Sequence, residues 1–158
     1  MRRAFNLENL MSRFFTETEI SHFRSLQSRT GMLISGSTAL QFFERTFYPE
    51  SDLDLYVEHR YCKVIALWLV TVGYSFEPRP GHPDQLEEAL SVAPHVFPRT
   101  TQFLSSAIVD YEDSGVINVY NFRRSDPDCK IQLITSRHSP LELILKFHSS
   151  TCNYFLKS

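Results

Sequence analysis

No stretch of this chain approaches the roughly 20 consecutive apolar residues needed to span a bilayer. The longest candidate, Val64–Val72, is the length of one amphipathic helix. Arg2-Arg3 is followed by no apolar segment, so no secretory signal is evident. Together these absences set the expectation of an intracellular protein, cytoplasmic or nuclear, with no membrane partner. An excess of one charge is also missing. The formal net charge of −2 creates no global basic field, and so gives no strong signal for nucleic acid. Cysteine is scarce: Cys62, Cys129 and Cys152 are odd in number, include no Cys-x-x-Cys pair and match no zinc spacing. They read as three reduced thiols in a reducing compartment. Internal repeats and low-complexity tracts are absent.

What is present is an aromatic-rich globular composition. Apolar residues make up 42 % of the chain, with thirteen Phe and seven Tyr among the aromatics, which is not the composition of a disordered segment. At 158 residues one domain is the default. A chain of this size buries roughly two-thirds of its unfolded surface.

Apolar residues at Leu7, Leu10, Met11 and Phe14 predict a helix over 6–15, capped by Asn6. Thr16-Glu17-Thr18-Glu19 has the capping-box pattern and starts a second helix with the stripe Ile20, Phe23, Leu26. Gly31 punctuates before a short strand, Met32-Leu33-Ile34. A helix follows over 38–47, burying Leu40, Phe43 and Phe47, and Pro49 ends it. The next strand carries Asp52-Leu53-Asp54-Leu55. Residues 61–72 predict another helix, with Val64, Trp68 and Val72 on one line and Ile65 with Leu69 on a neighbouring one, ended by Gly73.

Five of the eight prolines fall within 77–99, which predicts a long surface excursion with a helical turn or two near 84–90. Residues 108–111 and 116–122 read as a hairpin around Asp113-Ser114-Gly115. The Ser125-Asp126-Pro127-Asp128 turn leads into a strand over 129–135. Ser139 as cap, Pro140 at the first helical position and Glu142 three after the cap start a last helix, with Leu141, Ile144, Leu145 and His148 at helical spacing. The alternation of helices and strands argues for α/β or α+β.

Two features bear chemistry. Gly36-Ser37 opens a helix, where free backbone N–H groups and a partial positive charge suit a phosphate; a plain strand-to-helix turn would look the same. Asp52 and Asp54, two apart on a strand, point to one face. Their repulsion is relieved by a divalent cation such as magnesium, which takes carboxylate and phosphate oxygens. The bland alternative is an exposed acidic strand end. His138 and His148 read as structural or surface residues. Arg123-Arg124 with Lys130 reads as a solvated strand end or a small phosphate-facing patch. Trp68 reads as core, as does Tyr56, for which stacking on a base is the alternative.

Turn and acid pair together resemble the nucleotidyltransferase superfamily, the fold of polymerase beta-like enzymes. The pattern there is a hydrophobic residue, Gly-Gly or Gly-Ser, a helix, then Asp-hydrophobic-Asp-hydrophobic. Here it reads Ser35-Gly36-Ser37, a helix, and Ser51-Asp52-Leu53-Asp54-Leu55. The stretches Gly-Ser-Thr-Ala-Leu-Gln-Phe-Phe, Tyr-Pro-Glu-Ser-Asp-Leu-Asp-Leu-Tyr-Val and Phe147-His148-Ser149-Ser150-Thr151-Cys152 look like those of fungal proteins with this fold. The motif covers about 27 residues. The resemblance implies a bound nucleoside triphosphate, with Gly36 and Ser37 on its phosphates. It also implies Mg2+ (or Mn2+) on Asp52 and Asp54, and transfer of a nucleotidyl group to an unknown acceptor.

The chain departs from the family at three points. Fourteen residues separate Ser37 from Asp52, slightly more than usual. The base-binding helical subdomain is short or missing, as expected also of a fragment of a longer product. Most important, the family's third carboxylate belongs on the strand Lys130-Ile131-Gln132-Leu133-Ile134, where alternation puts Ile131 and Leu133 in the core and Gln132 at the acid's position. Asp110, Glu112, Asp113 or Asp128 takes that place if the register differs. Gln132 therefore raises the alternative of a catalytically inactive binding or interaction module. The expected fold is α+β and nucleotidyltransferase-like: a single domain over 1–158, with a small mixed sheet and helices packed mainly on one face. Helices occupy 1–30, the core 31–135 and a C-terminal helix 139–158.

Overall fold

The computed structural model describes residues 7–39, 49–92 and 115–146. It is an α+β structure built on a five-stranded mixed sheet. The named elements are α1 (Leu7–Met11), α2 (Glu17–Thr30), β1 (Leu33–Ser35), β2 (Leu53–Glu58), a 3-10 turn (His59–Tyr61), α3 (Cys62–Thr71), β3 (Ser75–Glu77), α4 (Leu86–Ser91), β4 (Val116–Ser125) and β5 (Asp128–Ser136). Residues 36–39 and 140–146 are also helical. The strand order is β1-β2-β5-β4-β3. Only β2 and β5 run parallel; the other neighbours are antiparallel.

The capping box at α2 forms as its sequence requires. Glu19 N–H donates to the Thr16 hydroxyl and Thr16 N–H donates to the Glu19 carboxylate, at 3.4 and 2.8 Å. Such a cap stabilises a helix by about 1 kcal/mol. Gly31 closes the helix in the left-handed region, φ +68°, where a side chain would be strained.

The first helix is shorter than predicted, five residues in place of ten. Beyond Met11 the chain turns, with Phe14 and Phe15 N–H both donating to the Met11 carbonyl. That turn sends two consecutive rings, Phe14 and Phe15, into the core. The Thr38–Phe47 prediction is met only at its start, where the helical run already begins at Gly36; from residue 40 it lies outside the described residues. In α3 the buried stripe is Cys62, Ile65, Ala66 and Leu69. Val64, predicted to be on the apolar line, is 46 % exposed.

Strand β3 was not expected, because three residues carry too little alternation to register. Within the proline-rich excursion the expected helical turn is α4; residues 93–99 lie outside the described ones, as do 108–111 of the predicted hairpin and His148. Among the described strands, β4 pairs with β3 and β5. The Asp126-Pro127 turn joins β4 to β5, with Ser125 opposite Asp128.

Burial in β2 alternates strictly: Leu53, Leu55 and Val57 are fully buried and the residues between them are not. The buried side continues through Ile131 and Leu133 of β5 and Tyr120 and Phe122 of β4. It meets Met11, Phe23, Ile65, Leu69 and Ala89 from the four named α-helices, and Phe14 and Phe15 from the turn after α1, in one cluster. These helices thus pack on one face of the sheet. The opposite face carries the polar residues.

Candidate functional site

One row of residues crosses that second face. The register pairs Ser35 with Asp54, Asp54 with Gln132, Gln132 with Asn121, and Asn121 with Glu77. Every strand contributes a polar residue to it. Directly opposed residues share a face, and the same strands bury their alternate residues in the core. Leu55 and Leu133 therefore hold Asp54 and Gln132 in place from below.

Asp54 sits where β1 ends. Gly36, the next residue after β1, has φ +71°, and a Cβ built on it would stand 1.9 Å from Asp54 Oδ2. Only glycine meets both conditions, so the carboxylate lies against the backbone that starts the helical turn. Thr38, fully buried, donates its hydroxyl to the Asp52 carbonyl at 2.7 Å. That bond ties the turn to the entry of β2. Arg13 fixes the same entry from the other side, donating to the Ser51 hydroxyl at 3.1 Å and to the Pro49 carbonyl. Ser37 is exposed.

Gly36, Asp54 and Gln132 are thereby brought together, with Ser37 following Gly36; Asp52, expected on the strand, stands one residue before β2, where its charge still acts on Asp54. Burial first, and the neighbouring Asp52 charge second, together push the Asp54 carboxyl up to about 6. Among the described residues no cation pairs with Asp54, and no group of three or more His, Cys, Asp or Glu side chains could hold a metal. Two carboxylates nevertheless suit magnesium, which commonly takes one or two from the protein and completes its shell with phosphates and water. Of the alternatives for the third acid, Asp128 is bound by Arg123 through two 3.0 Å hydrogen bonds. Asp110, Glu112 and Asp113 lie outside the described residues.

Beside Asp54 the face opens into a recess of about 290 Å³, lined by Asp54, Tyr56, Arg79, Asn121 and Gln132 together with Val116, Val119 and Ile134. Tyr56, read from the sequence as core, is instead a wall of this recess. Asn121 and Arg79 were not singled out from the sequence. Asn121 had a usable signal: a turn pairing residue 125 with 128 also pairs 121 with 132. Arg79, between Pro78 and Pro80, follows no periodic pattern.

Arg123 and Arg124 form no common patch. Arg123 binds Asp128 on the open side, while Arg124 points to the helices. There it donates to the Phe14 carbonyl at 2.8 Å and lies 4.8 Å from the Tyr74 ring centre. His138 is exposed, and its carbonyl accepts from the Ser136 hydroxyl. Trp68 is half-buried, packed against Phe15 and Phe23. No helix among the described residues is long and apolar enough to cross a membrane. Comparison with family models, with curated proteins and with solved structures gives no match.

Proposed function

We propose that this chain is a nucleotidyltransferase-like domain that binds a nucleoside triphosphate together with Mg2+. Asp52 and Asp54 would hold the cation and Gly36 and Ser37 the phosphates. The observation that carries the reading is the approach of Gly36 to Asp54, which sets a glycine turn directly against a half-buried carboxylate coupled to a second one. An unpaired acid raised by burial and by a like charge is relieved when a cation arrives.

Bound there, the cation would neutralise charge on the phosphate oxygens. The chain's own part is to present the turn's N–H groups to the phosphates, to hold Asp52 and Asp54 on one face, and to keep Gln132 beside them. In the active form a nucleotidyl group would pass to a hydroxyl of an acceptor.

Gln132 favours a second reading, in which nucleotide is bound and not turned over. Its register opposite Asp54 puts an amide where the family's third carboxylate is expected. An amide offers an oxygen to a cation, but neither offsets its charge nor takes a proton. Thermal unfolding with each nucleoside triphosphate, with and without magnesium or manganese, tests binding. A ligand at a hundred times its dissociation constant adds about 2.7 kcal/mol. Labelled triphosphate with a mixed set of hydroxyl acceptors then separates the two readings. Magnesium-dependent stabilisation lost in Asp52→Ala and Asp54→Ala supports the site. No stabilisation by any nucleotide, and no transfer, sinks both.

A further inference from the structure

Three neighbouring side chains of the row, Asp54, Gln132 and Asn121, have no side-chain hydrogen-bond partner among the described residues, and Asn121 Oδ1 is buried as well as unpaired. Buried polar atoms are nearly always satisfied, so the unpaired Asn121 Oδ1, next to the half-buried Gln132 and Asp54 on the wall of a recess, marks a place that something else completes. The recess has one acid, Asp54, and one cation, Arg79. Arg79 is in no ion pair among the described residues. Its Nη2 donates to Asn118 Oδ1 at 3.3 Å, a long bond that leaves the rest of the guanidinium fork uncommitted.

The positions set a length and a charge pattern. Asn121 lies on β4 in the row of Asp54, two strands away, which amounts to about 10 Å; Asn118, which holds Arg79, is three residues away along β4. Arg79 lines one end of the recess beside β4 and Asp54 the other on β2, with Asn121 of β4 and Gln132 of β5 on the wall as well. A volume of about 290 Å³ lies at the lower limit of small-molecule sites.

We infer that this recess is the acceptor subsite of the domain. It fits a small molecule with an anionic group, phosphate or carboxylate, held by Arg79. Hydroxyls of the same molecule meet the Asn121 and Gln132 amides and lead towards Asp54. The acceptor role rests on the proposed nucleotide site; the subsite itself does not require nucleotide to be present.

The test is titration of nucleotide-free protein with glycerol 3-phosphate, glycerate and glycerol, followed through the side-chain amide resonances of Asn121 and Gln132. Movement of both with glycerol 3-phosphate or glycerate, and not with glycerol, supports the inference; the arm that acts identifies the anion as phosphate or carboxylate. Arg79→Gln should weaken that binding about tenfold or more, since a hydrogen bond to a charged group is lost. Its amide spectrum shows that the fold is kept. No movement with either anion, or an unchanged titration in Arg79→Gln, overturns the inference. Asp52→Ala separates this from the function proposed above, because Asp52 lies outside the recess lining and its loss should abolish nucleotide binding and leave the anion titration in place. Nucleotide binding without an anion site refutes the subsite alone. An anion site without nucleotide binding leaves the subsite standing and removes its acceptor role.

Discussion

Asp54→Asn should stabilise the metal-free protein, and only above a defined pH. In the folded chain the Asp54 carboxyl is raised from 3.8 to about 6, first by burial and then by Asp52. Between those values the unfolded chain has lost its proton and the folded chain retains it. Folding then takes up a proton, so stability falls as pH rises through this window and is flat above it. For a sealed group the difference would correspond to about 3 kcal/mol. Asp54 keeps some contact with solvent, which screens its charge, and about 1–2 kcal/mol is the better figure. Asn keeps the side chain's shape and removes the charge. With a chelator at pH 8 the variant should melt about 3–6 °C above the parent, and near pH 3.5 the two should melt together. Thermal unfolding across that range measures it. A variant equally or less stable at pH 8, or a difference that does not change with pH, refutes the account of Asp54 as an unrelieved charge.

Gly36→Ala should cost about 2–3 kcal/mol in urea unfolding, because it strains a left-handed residue and drives Asp54 from its place; nucleotide stabilisation should disappear with it. Gln132→Glu should lower metal-free stability at pH 8 and make stabilisation by Mg2+ alone larger than in the parent, as calorimetry with and without the cation would show. Tyr74→Phe removes the hydrogen bond from the Tyr74 hydroxyl to the Phe14 carbonyl, 2.8 Å, at a buried site. A loss of about 1–2 kcal/mol is expected in the same unfolding assay, with nucleotide binding unchanged.

Much of this arrangement is legible in the sequence where a physical pattern is long enough to repeat. The capping box names the first residue of α2, and the alternation of Leu53, Leu55 and Val57 separates the two faces of β2. Gln132 is found by the same alternation on β5, and its register opposite Asp54 is observed. Shorter or aperiodic pieces are not legible. Strand β3 is three residues held by β4, and its identity comes from that pairing. The α3 stripe is displaced because Phe15 and Phe23 take Trp68 at its edge, leaving Val64 outside. Tyr56 reads as core, with stacking on a base as the alternative, yet it shares parity with Asp54 and lines the recess. Arg79 enters the site through the path of the chain after β3, which no local residue pattern encodes.

The neutral residue at position 132 has an energetic consequence. A carboxylate there would face Asp54 across one strand spacing of about 4.8 Å. At an effective dielectric near 20, two unit charges at that distance repel by about 3–4 kcal/mol. That is a large fraction of the stability of a typical domain. Asp54 already carries the cost of burial and of Asp52, so a third acid would make the empty site expensive. Gln132 removes that repulsion and keeps an oxygen facing the recess, at the expense of attraction for a free cation. On the proposed reading, affinity for Mg2+ then depends on charge brought by the ligand. The triphosphate supplies the negative oxygens that Gln132 lacks, and the cation and nucleotide should bind together far better than either alone.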